Sequence, residues 1–480
     1  MWQPVLMING YLISVMGIAM LFPAALDMYL SKADWSHFLS SSIISLFIGL
    51  SLFLANRMSI KKITLQQGYL ITVVGWVSLT LLGTIPFLLY KVVPGFADAF
   101  FETMSGLSTT GATIMTDIEA LPKAVLLWRS ILNCLGGIGI VMFAVALLPF
   151  LGIGGMQIFQ RENSDIDDKF MPKFNYIAKR IMLVYTLLLA ACAVCLYVAG
   201  MGWFDAVNHA MATIATGGLS TKNASIGFFN SLGIETVIAI FMILGSLPMT
   251  FYIMVIQNQD MHSLRTQQVV TFLQVLAFYI AGMSCWLVFN GVYDFGEALR
   301  YSSFNIISIV TSTGFVSTDY MNWGVFAGTA FIIFALTGGC TGSTAGSIKI
   351  FRWQVIFAFI RKSLTISTEP NRVLPVKIGT LSVNNQVIAS VFVFFAGYMV
   401  ALAVFSLLVA LTGQPFEIAF SSVIACLTNS GPGIGAVVGP SGNYSSLSDT
   451  AKYVLSSAML LGRLEVVTIL VIFTRSFWRR

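Results

Sequence analysis

The sequence predicts an all-α integral membrane protein in which two extra N-terminal helices precede four helix–loop–helix repeats around a common axis. Three observations carry that reading. Of the 480 residues, 57% are hydrophobic and only 10% charged, against roughly 25% charged in soluble domains. Apolar runs at 70–89, 124–151, 181–199, 387–411 and 453–473 each suffice to cross about 30 Å of hydrocarbon as a helix. Four short segments each set a hydroxyl residue before a glycine: Thr109-Thr110-Gly111-Ala112, Ala215-Thr216-Gly217-Gly218, Ser312-Thr313-Gly314-Phe315 and Asn429-Ser430-Gly431-Pro432. Their glycines Gly111, Gly217, Gly314 and Gly431 recur at near-equal intervals of 106, 97 and 117 residues.

Charge placement sets the expected topology. Most of the 26 Lys and Arg fall in five segments, 57–62, 161–180, Arg265, 352–377 and 475–480. The positive-inside rule puts these on the cytoplasmic face, with both termini there. The net charge of +6 therefore reads as topology, not as nucleic-acid binding. Continuous helical runs argue against an outer-membrane barrel, which needs alternating segments. No charged stretch precedes the first apolar run, so 1–24 reads as an uncleaved helix.

In order along the chain, residues 2–55 read as two helices joined by the polar loop 27–35. Each later excursion reads as an apolar helix out, a short helix, a Thr/Ser-Gly loop and a long helix in. The expected outward helices are 68–90, 180–199, 267–290 and 385–411. The short helices are 96–108, 203–214, 295–311 and 416–428, and the inward helices 121–152, 229–257, 323–353 and 449–477. The units so divided are a two-helix extension 1–62 and repeats 63–165, 166–262, 263–372 and 373–480. The short helices open with acids, Asp98 and Glu102, Asp205, Asp294 and Glu297, and Glu417, as the helix dipole favours.

If those helices descend into the membrane, their negative C-terminal ends converge where a cation would sit. Non-helical backbone at that depth is tolerated only when buried or lining water. The bland alternative is four ordinary extracellular loops, but one order of elements repeated four times favours a central ion pore. Glycine reaches the positive φ that inward-pointing carbonyls require, and the preceding hydroxyl can hold the loop or donate an oxygen. No Asp or Glu lies in the loops, which argues against a charged-ring filter for divalent ions. The expected ligand set for a monovalent cation is Thr109, Thr110 and Gly111; Ala215, Thr216 and Gly217; Ser312, Thr313 and Gly314; and Asn429, Ser430 and Gly431.

These motifs resemble the Trk/Ktr superfamily of potassium transporters. The resemblance rests on residues 106–113, Gly136-Gly137-Ile138-Gly139, 151–157, 215–221, 337–346 and 429–433, and runs over nearly the whole chain. The added N-terminal helix pair is similar to the TrkH-type membrane subunit. The resemblance implies potassium uptake across the bacterial inner membrane, homodimers with one pore per protomer, and a cytosolic ring of TrkA-type nucleotide-binding subunits. Glycine at 111 is the residue it associates with potassium rather than sodium. No covalent cofactor is expected, only K+ as the transported ion.

A gate is expected within the third inward helix. Gly338, Gly339, Gly342 and Gly346 fall within 337–347, and each interior glycine costs about 1 kcal/mol relative to alanine. Close helix packing through small residues is the bland reading. A phosphate-binding loop fails for want of a preceding strand and a G-K-[ST] ending. The resemblance implies an intramembrane loop that obstructs the pore, with Gly338, Gly339, Thr341, Gly342, Ser343, Gly346, Lys349 and Arg463 as gate residues. Arg463 lies roughly 21 Å along the fourth inward helix from Asp449 at 1.5 Å per residue, where an arginine is a functional candidate or else snorkels to the surface. Glu465, two positions on, reads as a poor partner for it. Lys349 either binds the loop or meets headgroups, and Arg129 reads as an anchor near the outer surface. The basic stretches 161–180 and 352–377 serve either a cytosolic partner or lipid headgroups.

Other classes have less support. Cys192 and Cys195 form a C-x-x-C inside an apolar run and read as buried packing rather than a redox pair. Three scattered histidines build no metal site, and no acid pairs suggest an enzyme. A secondary potassium symporter coupled to Na+ or H+ remains the alternative, although such carriers usually hold ionisable groups near the midplane.

Overall fold

The computed structural model describes residues 2–57, 64–151, 170–258, 267–372, 374–379 and 381–479. The basic positions 58–62, 161–169 and Arg265, and most of the 151–157 motif, lie outside them. The regular secondary structure of the described residues is helical apart from one two-stranded hairpin, β1 (Lys377–Ile378) with β2 (Leu381–Ser382). Seven helical spans among the described residues are long and apolar enough to cross a membrane, and an eighth is bent by 108°.

α1 (Trp2–Ala19) and α2 (Leu21–Tyr29) together make one 28-residue span. α3 (Trp35–Ala55) returns antiparallel to it. Three glycines set the distance between them. A Cβ on Gly10 would lie 2.6 Å from Phe53 N, one on Gly49 2.7 Å from Ser14 N, and one on Gly17 3.0 Å from Leu46 Cγ. Small residues of this kind let helices pack where lipid offers no hydrophobic drive.

In the first repeat, α4 (Leu65–Gly83) starts at a capping box in which Thr64 and Gln67 each bond the other's backbone N–H. After α5 (Ile85–Leu89) come the short helix α6 (Phe96–Leu107) and the long α7 (Lys123–Leu151). The second holds α8 (Phe170–Val198), α9 (Trp203–Ile214), α10 (Leu232–Gly245) and α11 (Met249–Asn258). The third holds α12 (Gln267–Phe289), α13 (Phe295–Val310), α14 (Val325–Thr337) and α15 (Ile350–Thr368). The fourth holds α16 (Asn385–Ala410), α17 (Phe416–Thr428), α18 (Gly435–Val438), α19 (Asp449–Leu464), α20 (Val466–Ile472) and α21 (Arg475–Trp478).

Packing closes these units into a ring. The inward helix of each repeat lies against the short helix of the next: α7 on α9, α10 on α13, α14 on α17, and α19 back on α6. The short helices are consequently central and mostly buried, while α3, α12 and α16 expose large apolar residues such as Phe47, Phe278 and Leu407, as a lipid-facing rim requires.

Several expectations are corrected. The second inward helix is not continuous over 229–257, because it breaks at Ser246–Pro248 between α10 and α11, where Pro248 has no N–H to give. The fourth is not continuous over 449–477 either. It turns by 108° at Glu465, whose φ is +65°. Glu102 sits in the middle of α6 rather than its first turn. Cys195 is exposed although Cys192 is buried, because Cys195, nearly one turn on, stands at the margin of the buried stripe that Cys192, Ala193 and Leu196 form on α8.

Replacing Gly49 with leucine should wedge α1 from α3, an overpacking cost of about 1–3 kcal/mol. The detergent-purified variant is expected to unfold at lower temperature than the parent. Gly282→Ala, where an added Cβ meets nothing within 4 Å, should not lower the midpoint.

Candidate functional site

All four short helices end the same way. Thr109, Thr216, Ser312 and Asn429 adopt left-handed conformations with φ of 52°, 51°, 56° and 54°. In each, that residue's N–H bonds the carbonyl three back and the next residue's N–H bonds the carbonyl five back. The longer bonds are Thr110 N to Ser105 O (2.8 Å), Gly217 N to Ala212 O (2.8 Å), Thr313 N to Ser308 O (2.8 Å) and Ser430 N to Ala425 O (3.0 Å). This is the Schellman ending, which usually places glycine at the left-handed position. Here none of the four is glycine, and such backbone costs roughly 1–3 kcal/mol per residue. All four left-handed residues are fully buried, so their surroundings hold the strain.

Two residues further on, the chain needs glycine. Gly111, Gly218, Gly314 and Gly431 have φ of 81°, 67°, 83° and 83°. A Cβ on Gly111 would lie 2.6 Å from Gly217 O, and one on Gly218 1.9 Å from Thr313 O. On Gly314 it would lie 2.1 Å from Ser430 O, and on Gly431 2.6 Å from Thr110 O. Each loop thus abuts the carbonyl of the next, and the fourth meets the first. The four loops form a closed head-to-tail ring. Those four glycines also line one cavity of about 80 Å³ together with Lys222 and Tyr444.

The expected residues therefore come together, with one shift of register. In the second repeat the triplet equivalent to Thr109-Thr110-Gly111 is Thr216-Gly217-Gly218, not Ala215-Thr216-Gly217. Ala215 occupies the helix-end position of Ser108. Two adjacent glycines made the two registers indistinguishable from sequence alone.

Buried and half-buried polar ties hold the ring. Arg129 donates from Nε to Glu102 at 2.7 Å, from Nη1 to Ser220 O at 2.9 Å and from Nη2 to Thr113 Oγ1 at 3.0 Å. Glu102 also accepts from Ile114 N at 3.0 Å. Arg129 is thus a strut between the first and second loops, 1% exposed, rather than a surface anchor. Lys452 pairs with Asp98 at 2.6 Å across the fourth and first repeats, and Arg300 with Glu235 at 2.7 Å across the third and second. Tyr444 donates its hydroxyl to Gly431 O at 2.8 Å.

Beneath the ring lies the glycine-rich loop between α14 and α15, wholly buried over 338–349. Its backbone polar groups find partners at the break in the second repeat. Cys340 N bonds Ser246 O at 3.1 Å, and Met249 N bonds Gly342 O at 3.0 Å. It also reaches the ends of three short helices. Thr344 Oγ1 donates to Ile214 O at 3.0 Å, and Gly346 N to Ser312 Oγ at 2.6 Å. A Cβ on Gly346 would lie 2.5 Å from Thr428 O. Gly338 and Gly342 supply left-handed turns at φ of 72° and 82°. Gly339 packs on Ala345, Ser343 Oγ bonds Cys340 O, and Thr341 lies between them.

Arg463, 3% exposed, donates from Nη1 to Thr344 O at 2.7 Å. Lys349 and Arg352 both pair with Glu465, at 3.7 Å and 2.8 Å. Glu465 was read from sequence only as a poor partner for Arg463. Its true partners lie on another helix, and its backbone turn aims it at them. Lys349 and Glu465 are the two positive-φ residues at the starts of α15 and α20, so an ion pair joins the two strained breaks.

Residues 35–480 match the TrkH family, described as cation transport protein. The chain belongs to that family. Its relatives include the Trk system potassium uptake protein TrkI of Halomonas elongata, 35% identical over 100% of this chain and 97% of that protein. The Trk system potassium uptake protein TrkH of Salmonella typhimurium is 35% identical over 98% of each. The crystal structure of the potassium transporter TrkH from Vibrio parahaemolyticus superposes with a TM-score of 0.92 over 100% of both chains at 31% identity. The TrkH-family fold and its non-enzymatic character follow.

Two outcomes are expected from the ring. Gly218→Ala should be tolerated less well than Gly111→Ala, since its Cβ would meet a carbonyl oxygen at 1.9 Å rather than 2.6 Å; cation flux and the thermal midpoint both read this. Arg129→Ala leaves Glu102 charged and buried, which costs about 3–5 kcal/mol. The paired replacement Arg129→Met with Glu102→Gln should recover much of the lost stability in denaturant titrations.

Proposed function

We propose that the chain carries potassium across the bacterial inner membrane through a channel-like pore, with the four-loop ring as its selectivity filter. The observation that carries this reading is the head-to-tail closure of four backbone segments, each at the C-terminal end of a short helix. Each such end presents a partial negative charge of about half a unit. Rings of carbonyls replace the hydration shell of a monovalent cation, and these loops contain no carboxylate. The relatives named above are potassium uptake proteins, which favours K+ as the cargo. In this reading the filter residues are Thr109, Thr110 and Gly111; Thr216, Gly217 and Gly218, with Ala215 behind them; Ser312, Thr313 and Gly314; and Asn429, Ser430 and Gly431.

The loop 338–349 then acts as the gate, obstructing the path under the filter while Arg463 pins it. The repeats divide at 63–165, 166–262, 263–372 and 373–480 after the extension 1–62. Both termini face the cytoplasm, and the exposed basic end of α15, with Arg361 and Lys362, faces a TrkA-type nucleotide-binding ring beneath a homodimer.

Liposomes containing the purified chain test this. With a potassium gradient alone, flux should follow the gradient, without Na+ or a proton gradient. Strict dependence on either would overturn the channel reading in favour of symport. Arg463→Ala and Glu465→Gln should each raise resting flux several-fold; unchanged flux in both would remove them from the gate.

A further inference from the structure

One position breaks the fourfold pattern of the ring. In three repeats the residue before the ring glycine carries a hydroxyl that bonds the hydroxyl at the helix end. Thr110 meets Ser108 at 2.7 Å, Thr313 meets Thr311 at 2.8 Å, and Ser430 meets Thr428 at 2.8 Å. The second repeat has Gly217 and Ala215 there, and neither has a hydroxyl.

The place of that side chain is taken by another residue. A Cβ on Gly217 would lie 2.5 Å from Asn133 Cγ and 2.7 Å from both Asn133 Oδ1 and Nδ2. Asn133 stands on α7, which packs on α9. Two glycines one turn along bring that face close: a Cβ on Gly136 would meet Leu107 O at 1.8 Å, and one on Gly137 would meet Ala215 Cβ at 2.9 Å. Asn133 is 0% exposed, yet neither of its amide atoms has a hydrogen-bond partner in the protein. Buried amides are normally satisfied, and an exception calls for a reason. The gate loop supplies none. Its hydrogen bonds at the short-helix ends go to Ile214 O and Ser312 Oγ, not to the Asn133 amide. Thr109 Oγ1 and Asn429 Oδ1, also at the ring, are likewise buried without protein partners.

We propose that Asn133 is the missing side chain of the second loop, a specificity-determining residue that supplies from α7 the polar group Gly217 lacks. It completes a collar with Thr110, Thr313 and Ser430. Its amide oxygen serves a partly dehydrated monovalent cation or the waters travelling with it. Gly217 is glycine because any side chain there would displace the amide. This inference rests on the ring being a filter.

The test uses the full chain in liposomes, with K+ and Na+ flux measured separately. Wild type, Asn133→Ala, Asn133→Thr, Gly217→Ser and the double variant Asn133→Ala with Gly217→Ser are compared, with thermal midpoints as a folding check. Asn133→Ala should lower the K+/Na+ flux ratio several-fold while K+ still passes. Gly217→Ser alone, crowded by the amide, should lose both flux and stability. The double variant, with a hydroxyl restored in cis, should return the ratio towards wild type, a coupling that independent sites do not show. A ratio unchanged in both Asn133 variants, or a double variant no better than the worse single, overturns the proposal. Where Asn133→Ala does not fold, Asn133→Thr gives the same decision. A wild-type chain without K+-selective flux would instead refute the filter reading itself.

Discussion

Four glycines without side chains, each pressed against a carbonyl of the following loop, fix the centre of this molecule. A Cβ at any of them would come within 1.9–2.6 Å of that oxygen, closer than real contacts allow. The closure is cyclic, so no loop can shift alone. It also explains why Thr109, Thr216, Ser312 and Asn429 tolerate left-handed backbone. Their Schellman endings are set by the helices behind and their onward direction by the neighbouring loop. Each strained residue costs roughly 1–3 kcal/mol. The buried struts Arg129–Glu102 and Lys452–Asp98 and the half-buried pair Arg300–Glu235 brace the repeats that carry this strain.

The three breaks in the inward helices form one structure. Interrupting a helix in a membrane leaves N–H and C=O groups without partners, tolerable only where protein satisfies them. Here the gap at Ser246–Pro248 and the loop 338–349 answer each other's needs. The bend at Glu465 brings a carboxylate to Lys349 and Arg352, and Arg463 holds Thr344 O from the turn before. A change at any one of these positions therefore bears on the others.

Much of the fold was legible because its signals are redundant. Hydropathy marked the spans, and four similar loops marked the repeats, so the cyclic arrangement followed from repetition. The glycine-rich stretch announced its own break. The register of the second loop was not legible, because Gly217 and Gly218 are adjacent and only contact with Thr313 O separates them. Nor were the bends at Pro248 and Glu465 seen, since apolar composition continues through both. Glu102, read as a helix-opening acid, and Glu465, read as a poor partner for Arg463, were left without their true partners for a related reason. Their partners, Arg129 and the Lys349–Arg352 pair, lie 27 or more residues away in sequence, and ring packing alone brings them together. Asn133 gave no signal beyond being an amide in an apolar helix.

The central claim is that the four loops jointly coordinate one desolvated monovalent cation. Anomalous diffraction from crystals grown with rubidium or thallium in place of potassium tests it most directly. The expected result is an anomalous peak on the ring axis, in contact with backbone oxygens of all four loops and lost when the crystals are exchanged into lithium. A peak held by one or two loops only, or bound ions found solely outside the ring, would contradict it.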